Sequence, residues 1–129
     1  MDFIDKIYEQ ARKVKKKILL PEGEERRVLK AVGAILKRDI CFPVLIGDPD
    51  KVLKISKDEG VDLKDIEIID RKNYKRFDEY VTLYCKIRKH KNIKEDDARK
   101  LITGNPVFYS ALAVRSGHAD GFVAGASTT

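Results

Sequence analysis

Apolar positions along this chain fall into two alternating spacings. Between residues 3 and 15, Phe3, Ile4, Ile7, Tyr8, Ala11 and Val14 recur every three or four residues, as on one face of a helix. The stretch "KILLPEGEE" then gives a short apolar run, Ile18 to Leu20, stopped by Pro21. Glu22, Glu24 and Glu25 lead into a second helical pattern on Val28, Leu29, Val32, Ile35 and Leu36, where early carboxylates suit the positive end of a helix.

The same alternation continues. "FPVLIGDPD" predicts a second strand, Val44 to Ile46, and then a helix capped by Asp48 with Pro49 at its first position. Leu53 and Ile55 belong to that helix, and Gly60 lies near its end. "IEIID" reads as a third strand around Ile66 to Ile69, and residues 77–90 as a helix turning Tyr80, Val81, Tyr84, Cys85 and Ile87 inward. "IKEDDARKLI" begins another helix. A further one is capped by Asn105, started by Pro106 and stopped by Gly117, before "DGFVAGA" closes the series as a fourth strand.

Short, continuously apolar strands separated by helices predict an α/β fold, a parallel sheet with helices on both faces in three α/β/α layers. A length of 129 residues suits a single domain. No repeat, low-complexity tract or linker interrupts the pattern. In such sheets ligands sit beyond the carboxyl ends of the strands. Those ends carry the loops Pro21 to Gly23, Gly47 to Asp48 and 125–129, and the last of them, "GASTT", offers Gly125, hydroxyls and backbone N–H groups suited to a phosphate or carboxylate. It is neither a Walker A loop nor a GxGxxG fingerprint.

Composition adds location rather than class. A 43% hydrophobic, 37% charged chain is globular and water-facing, with no apolar run near the roughly 20 residues of a membrane span. The N-terminus "MDFIDKIYEQ" lacks the pattern of a signal peptide, so a cytoplasmic protein is expected. Cys41 and Cys85 read as buried thiols, with no spacing that suggests a metal site or disulfide. The net charge of +6 is not spread evenly: residues 71–100 hold eleven Lys and Arg against five Asp and Glu, and the rest of the chain balances. That segment is either a solvated helical face or a patch for a polyanion, nucleic acid or a phosphorylated cofactor.

Within it, "KIRKHKN" gathers Lys86, Arg88, Lys89, His90 and Lys91 at a helix end, where cations complement the dipole and Arg88 could take a phosphate in bidentate fashion. His90 and His118 are unpaired by spacing and read as surface or capping residues. A Ser-His-Asp or Cys-His arrangement has no basis in the spacing.

Taken together, "ILLPEGEERRVLKA", "DEYVTLYCKIRKHKN", "EDDARKLI", "NPVFYSALAVRSGHADGFVAGA" and the closing "STT" resemble the phosphate acetyltransferases of the phosphate acetyl- and butyryltransferase family, over essentially the whole chain. The resemblance implies a cytoplasmic homodimeric enzyme that interconverts acetyl-CoA plus phosphate with acetyl phosphate plus CoA. CoA is a substrate there, and no cofactor, metal, nucleic acid or membrane partner is implied. It also implies that residues 1–129 form the N-terminal part of the first of two α/β domains, an isolated piece expected to be inactive. Arg88 is the matching position for a CoA contact, and Ser127, Thr128 and Thr129 for the wall of the active-site cleft. No catalytic residue maps onto this segment. Many family members carry a His near Thr128, and this chain does not. The nearest alternatives are phosphate butyryltransferase and the related C-terminal domain of malic enzymes. From a different class comes a basic nucleic-acid module, with Tyr74, Phe77, Tyr80 and Tyr84 interleaved among the cations.

Overall fold

The computed structural model describes residues 2–126. The elements alternate as the apolar spacing predicts: α1 (Phe3–Lys13), β1 (Lys16–Leu20), α2 (Arg26–Arg38), β2 (Cys41–Gly47), α3 (Pro49–Asp58), β3 (Glu67–Asp70), α4 (Phe77–Ile87), α5 (Glu95–Gly104), α6 (Pro106–Arg115) and β4 (Gly121–Phe122). A 3-10 turn, Lys89–Lys91, follows α4. The strands pair in parallel in the order β3-β2-β1-β4.

Alternating strand residues build a core on each side of the sheet. Leu19, Val44, Ile46 and Ile69 face Tyr80, Val81 and Tyr84 of α4, Ala98 and Ile102 of α5, and Tyr109, Leu112 and Ala113 of α6. Leu20 and Leu45 face Leu29 and Val32 of α2 and Val52 of α3. The result is the three-layer α/β/α arrangement. Moving outward from β1, the chain winds to β2 and β3, returns past α4, α5 and α6, and lays β4 against the opposite side of β1. The order of winding therefore reverses between β1 and β4, which is where such sheets open a crevice for ligands.

Local signals explain the sharpest boundaries. The Asp48 carboxylate accepts from Asp50 N at 3.0 Å, and the Asn105 side chain accepts from Val107 N at 3.0 Å, each with proline next in line. Asp39 ends α2 in the left-handed conformation, its N–H donating to Ile35 O at 2.8 Å. Asp120 sets the register of β4: its carboxylate accepts from Lys17 N at 2.8 Å, and its own N–H donates to Lys17 O at 2.9 Å.

Two expectations change. α1 forms but buries none of its residues, and Phe3 stays 74% exposed. Its ties are at the edge, where Arg12 donates to Arg38 O at 2.7 Å and the Arg38 guanidinium lies 4.3 Å from the Tyr8 ring centre. β2 begins at Cys41, three residues before the apolar run Val44 to Ile46, and both thiols, expected to be buried, are free and only half-buried. Partial burial still pushes the Cys41 thiol up from its ordinary range.

Candidate functional site

The connection after β1 organises the carboxyl edge of the sheet. Pro21 ends the strand, and Gly23 turns back against β2, donating to Ile46 O at 3.0 Å. The two glutamates flanking Gly23 then diverge. The Glu24 carboxylate accepts from Asp48 N at 3.0 Å, at the end of β2, and faces Lys51 and Arg71 at 3.9 Å each. Arg71 follows β3 directly, and its N–H donates to Gly47 O at 3.2 Å. Glu22 reaches the other way. Its Oε1 accepts from Gly125 N at 2.6 Å and Ala126 N at 3.0 Å, just past β4. Arg27, at the start of α2, donates to Ala126 O.

These carboxylates do not act as the sequence suggests. α2 begins at Arg26, carries no acidic residue in its first turn, and receives no side-chain cap from Glu25. The glutamates instead answer backbone N–H groups and cations contributed by the loops after β2, β3 and β4 and by the first turn of α3. The missed signal is the Glu-Gly-Glu spacing immediately after a strand, which sends two carboxylates to opposite sides of a tight turn.

The connection borders a cavity of about 420 Å³, lined by Glu22, Glu24, Ile46, Arg71, Asn105 and Pro106 among others. Its walls combine carboxylates, one guanidinium and the N-terminus of α6. That is a polar cleft at the strand tips with charge of both signs. The ion pairs across it are long and solvent-facing, so each contributes at most about 1 kcal/mol. They fix loop positions more than they stabilise the fold. Among the described residues no cluster of three or more His, Cys, Asp or Glu could hold a metal ion.

The expected site residues separate. Arg88 follows α4, half-buried, and its guanidinium has neither an ion pair nor a hydrogen bond among the described residues. It is not among the residues lining the strand-tip cavity. Ser127, Thr128 and Thr129 lie outside the described residues. His90 is exposed, but His118 is more than a capping residue. Its Nδ1 lies 2.7 Å from the Tyr80 hydroxyl and its Nε2 lies 3.2 Å from the Arg76 guanidinium. Because Arg76 only donates, Nε2 accepts, and Nδ1 carries the proton toward Tyr80.

The basic segment is not one patch. Lys72 faces Asp48 at 3.9 Å, Lys75 faces Glu67 at 3.3 Å and Arg76 faces Glu79 at 3.9 Å, so the cations before α4 are matched by carboxylates. Lys86 in the last turn of that helix, and Arg88, Lys89, His90 and Lys91 just beyond it, have no carboxylate partner among the described residues. Tyr74, Tyr80 and Tyr84 are buried in the core, which removes the aromatic surface a nucleic-acid reading requires.

Comparison with known proteins meets this geometry from outside. Residues 2–129 match the family described as phosphate acetyl/butaryl transferase. A phosphate acetyltransferase from Thermoanaerobacterium thermosaccharolyticum is 40% identical over 126 residues, which cover 98% of this chain and 38% of that protein. An NADP-dependent malic enzyme from Escherichia coli is 35% identical over 126 residues, or 95% of this chain and 17% of the enzyme. Among solved structures, EutD phosphotransacetylase from Staphylococcus aureus superimposes with a TM-score of 0.86 at 28% identity, over all of this chain and 40% of that one. This chain spans about two-fifths of the phosphate acetyltransferases from Thermoanaerobacterium thermosaccharolyticum and Clostridium acetobutylicum, and about one sixth of the longer one from Nitratidesulfovibrio vulgaris.

Proposed function

The chain belongs to the phosphate acetyl/butaryl transferase family, and from that premise we propose that it contributes to an acyltransferase interconverting acetyl-CoA plus phosphate with acetyl phosphate plus CoA. The observation that carries the reading is the family match over residues 2–129. Relatives named phosphate acetyltransferase favour the acetyl over the butyryl substrate. The protein works in the cytoplasm as a homodimer, and residues 1–129 are the N-terminal part of its first domain.

In this reaction the CoA thiolate attacks the acetyl carbon of acetyl phosphate, a C–S bond forms, the C–O bond to phosphate breaks, and inorganic phosphate leaves. Hydrogen-bond donors facing the developing oxyanion lower that barrier. This segment supplies substrate contacts and one wall of the cleft. Arg88, whose guanidinium is unpaired among the described residues, takes a CoA phosphate, and Ser127, Thr128 and Thr129 are assigned to substrate binding by their match to the family motif. The general base comes from outside residues 1–129.

Thioester formation from acetyl phosphate and CoA tests the reading in the enzyme that carries this segment. Arg88→Ala should raise the KM for CoA roughly tenfold or more and leave that for acetyl phosphate nearly unchanged, because a charge-assisted contact contributes about 1.5–3 kcal/mol. Arg88→Lys should recover part of the loss. Residues 1–129 alone should not turn over. An unchanged KM for CoA in Arg88→Ala removes the CoA role, and turnover by residues 1–129 alone at ordinary enzyme rates overturns the division of labour.

A further inference from the structure

The geometry points to Glu22 as a positioning residue, its carboxylate acting as a resident anion in the cradle made by the Gly125 and Ala126 amides. Two consecutive N–H groups converge on one oxygen, Oε1, at 2.6 and 3.0 Å. Gly125 adopts a φ of +122°, a backbone state open to glycine, which turns its amide to the same side as its neighbour's. Paired amides of this kind bind oxyanions. Here the chain supplies the oxyanion itself.

The loop has little else to hold it. The β4 ladder is two residues long, its last tie is Val123 N to Leu19 O at 3.0 Å, and Ala124 and Gly125 are exposed. Beyond that point Ala126 is held through both of its main-chain polar groups, its N–H by Glu22 and its C=O by Arg27. Glu22 lies in the β1–α2 connection and Arg27 in the first turn of α2, so the position of this loop is set from across the β1/β4 crevice. With both amides occupied, a substrate phosphate must find its donors elsewhere. Glu22 thus orients the segment leading to residues 127–129 rather than contacting the reacting atoms. Its relevance to catalysis rests on the acyltransferase reading; the cradle itself does not.

Amide hydrogen exchange and proton–nitrogen spectra of the 129-residue chain separate the two. In Glu22→Ala the Gly125 and Ala126 amides should exchange roughly tenfold or more faster and shift, since bonds to a charged acceptor are lost, while Leu45 and Ile46 stay protected. Glu22→Gln, which keeps an acceptor oxygen, should lie between Glu22→Ala and the parent. Acetate should move the two amides of Glu22→Ala back toward their parent positions and leave the parent spectrum unmoved. Should Glu22→Ala fail to fold, the near-isosteric Glu22→Gln carries the test through weaker protection at those amides alone. Unchanged amides in either variant, a Gln variant no closer to the parent than Ala, or an acetate response shared by parent and variant overturns the proposal. In the active enzyme Glu22→Ala should lower kcat and spare the KM for CoA. If that enzyme proves not to transfer acyl groups, the amide result still decides the cradle.

Discussion

Gly23 and Ile46 meet backbone to backbone, with the Gly23 N–H donating to Ile46 O at 3.0 Å and no room left for a side chain. A Cβ on Gly23 would stand 2.5 Å from that same carbonyl oxygen. The neighbour is main chain in the middle of the sheet and cannot swing aside. Gly23→Ala should therefore push the β1–α2 connection off β2 and destabilise the protein by about 1–3 kcal/mol, the cost of overpacking a close contact. Urea unfolding measures it. Gly60→Ala is the control: its substituent meets nothing within 4 Å, so its cost comes only from the φ of +67°.

Tyr74 and Tyr109 stack with ring centres 4.1 Å apart, yet their hydroxyls differ. Tyr109 donates to Lys75 O at 2.7 Å, whereas the Tyr74 hydroxyl is buried without a partner among the described residues. Tyr109→Phe should cost about 1 kcal/mol, because the carbonyl loses its donor. Tyr74→Phe removes an unsatisfied group and should be neutral or mildly stabilising. Denaturation midpoints of the two variants, compared under one condition, check the contrast. Equal losses would show that the Tyr74 hydroxyl has a partner in solution.

Burial also sets how the protein responds to base. It pushes the Tyr80 hydroxyl up to about 12 from an ordinary value near 10, with Glu79 adding to the rise and Arg76 opposing it. Burial raises Tyr74 and Tyr109 as well; neighbouring Tyr80, Tyr74 and Glu67 reinforce the Tyr109 shift. A raised value means that the folded state keeps its proton where the unfolded chain has lost it. The stability tied to Tyr80 is therefore complete below about pH 10 and falls by roughly 2 kcal/mol as the pH climbs to 12. Tyrosinate absorbance followed alongside circular dichroism should show these three tyrosines ionising together with unfolding. Ionisation of all five before any loss of helix would contradict it.

The fold was legible because its signals are local. A cap residue followed by proline marks α3 and α6 from a few adjacent positions, and the short apolar runs mark the strands. α1 shows the limit of periodicity: spacing makes Phe3, Ile4 and Ile7 one face of a helix, but it does not report whether anything covers that face. The site was less legible because it depends on distant pairs. Glu22 meets amides more than a hundred residues away and Glu24 meets one 24 residues away. His118, just past α6, finds Tyr80 and Arg76 only once α4 has packed against α6. No spacing rule connects such partners. The family resemblance was legible from whole motifs, and it pointed to Arg88, whose guanidinium has no partner among the described residues.

β4 is an edge strand of the sheet, as β3 is at the other end. β4 ends the strand order, so among the described residues its outer edge has no strand neighbour, and Val123 just beyond it is 64% exposed. Beside it runs an apolar groove of about 510 Å³ lined by Ile18, Leu20, Val28, Ile35, Cys41 and Val123. No charged residue follows Asp120 in the described chain, and proline is absent there, so neither of the usual deterrents to edge pairing is present. A second copy of the same chain brings the same edge and the same apolar strip, which makes antiparallel β4 pairing across a two-fold axis the economical contact. The isolated 129 residues should therefore associate as concentration rises, and Val123→Lys, which places a charge on the edge without touching the core, should shift the population back to monomer. Light scattering coupled to size exclusion reads both. A parent chain that stays monomeric at high concentration, with the β4 amides strongly protected from exchange, would show that this edge is closed in solution.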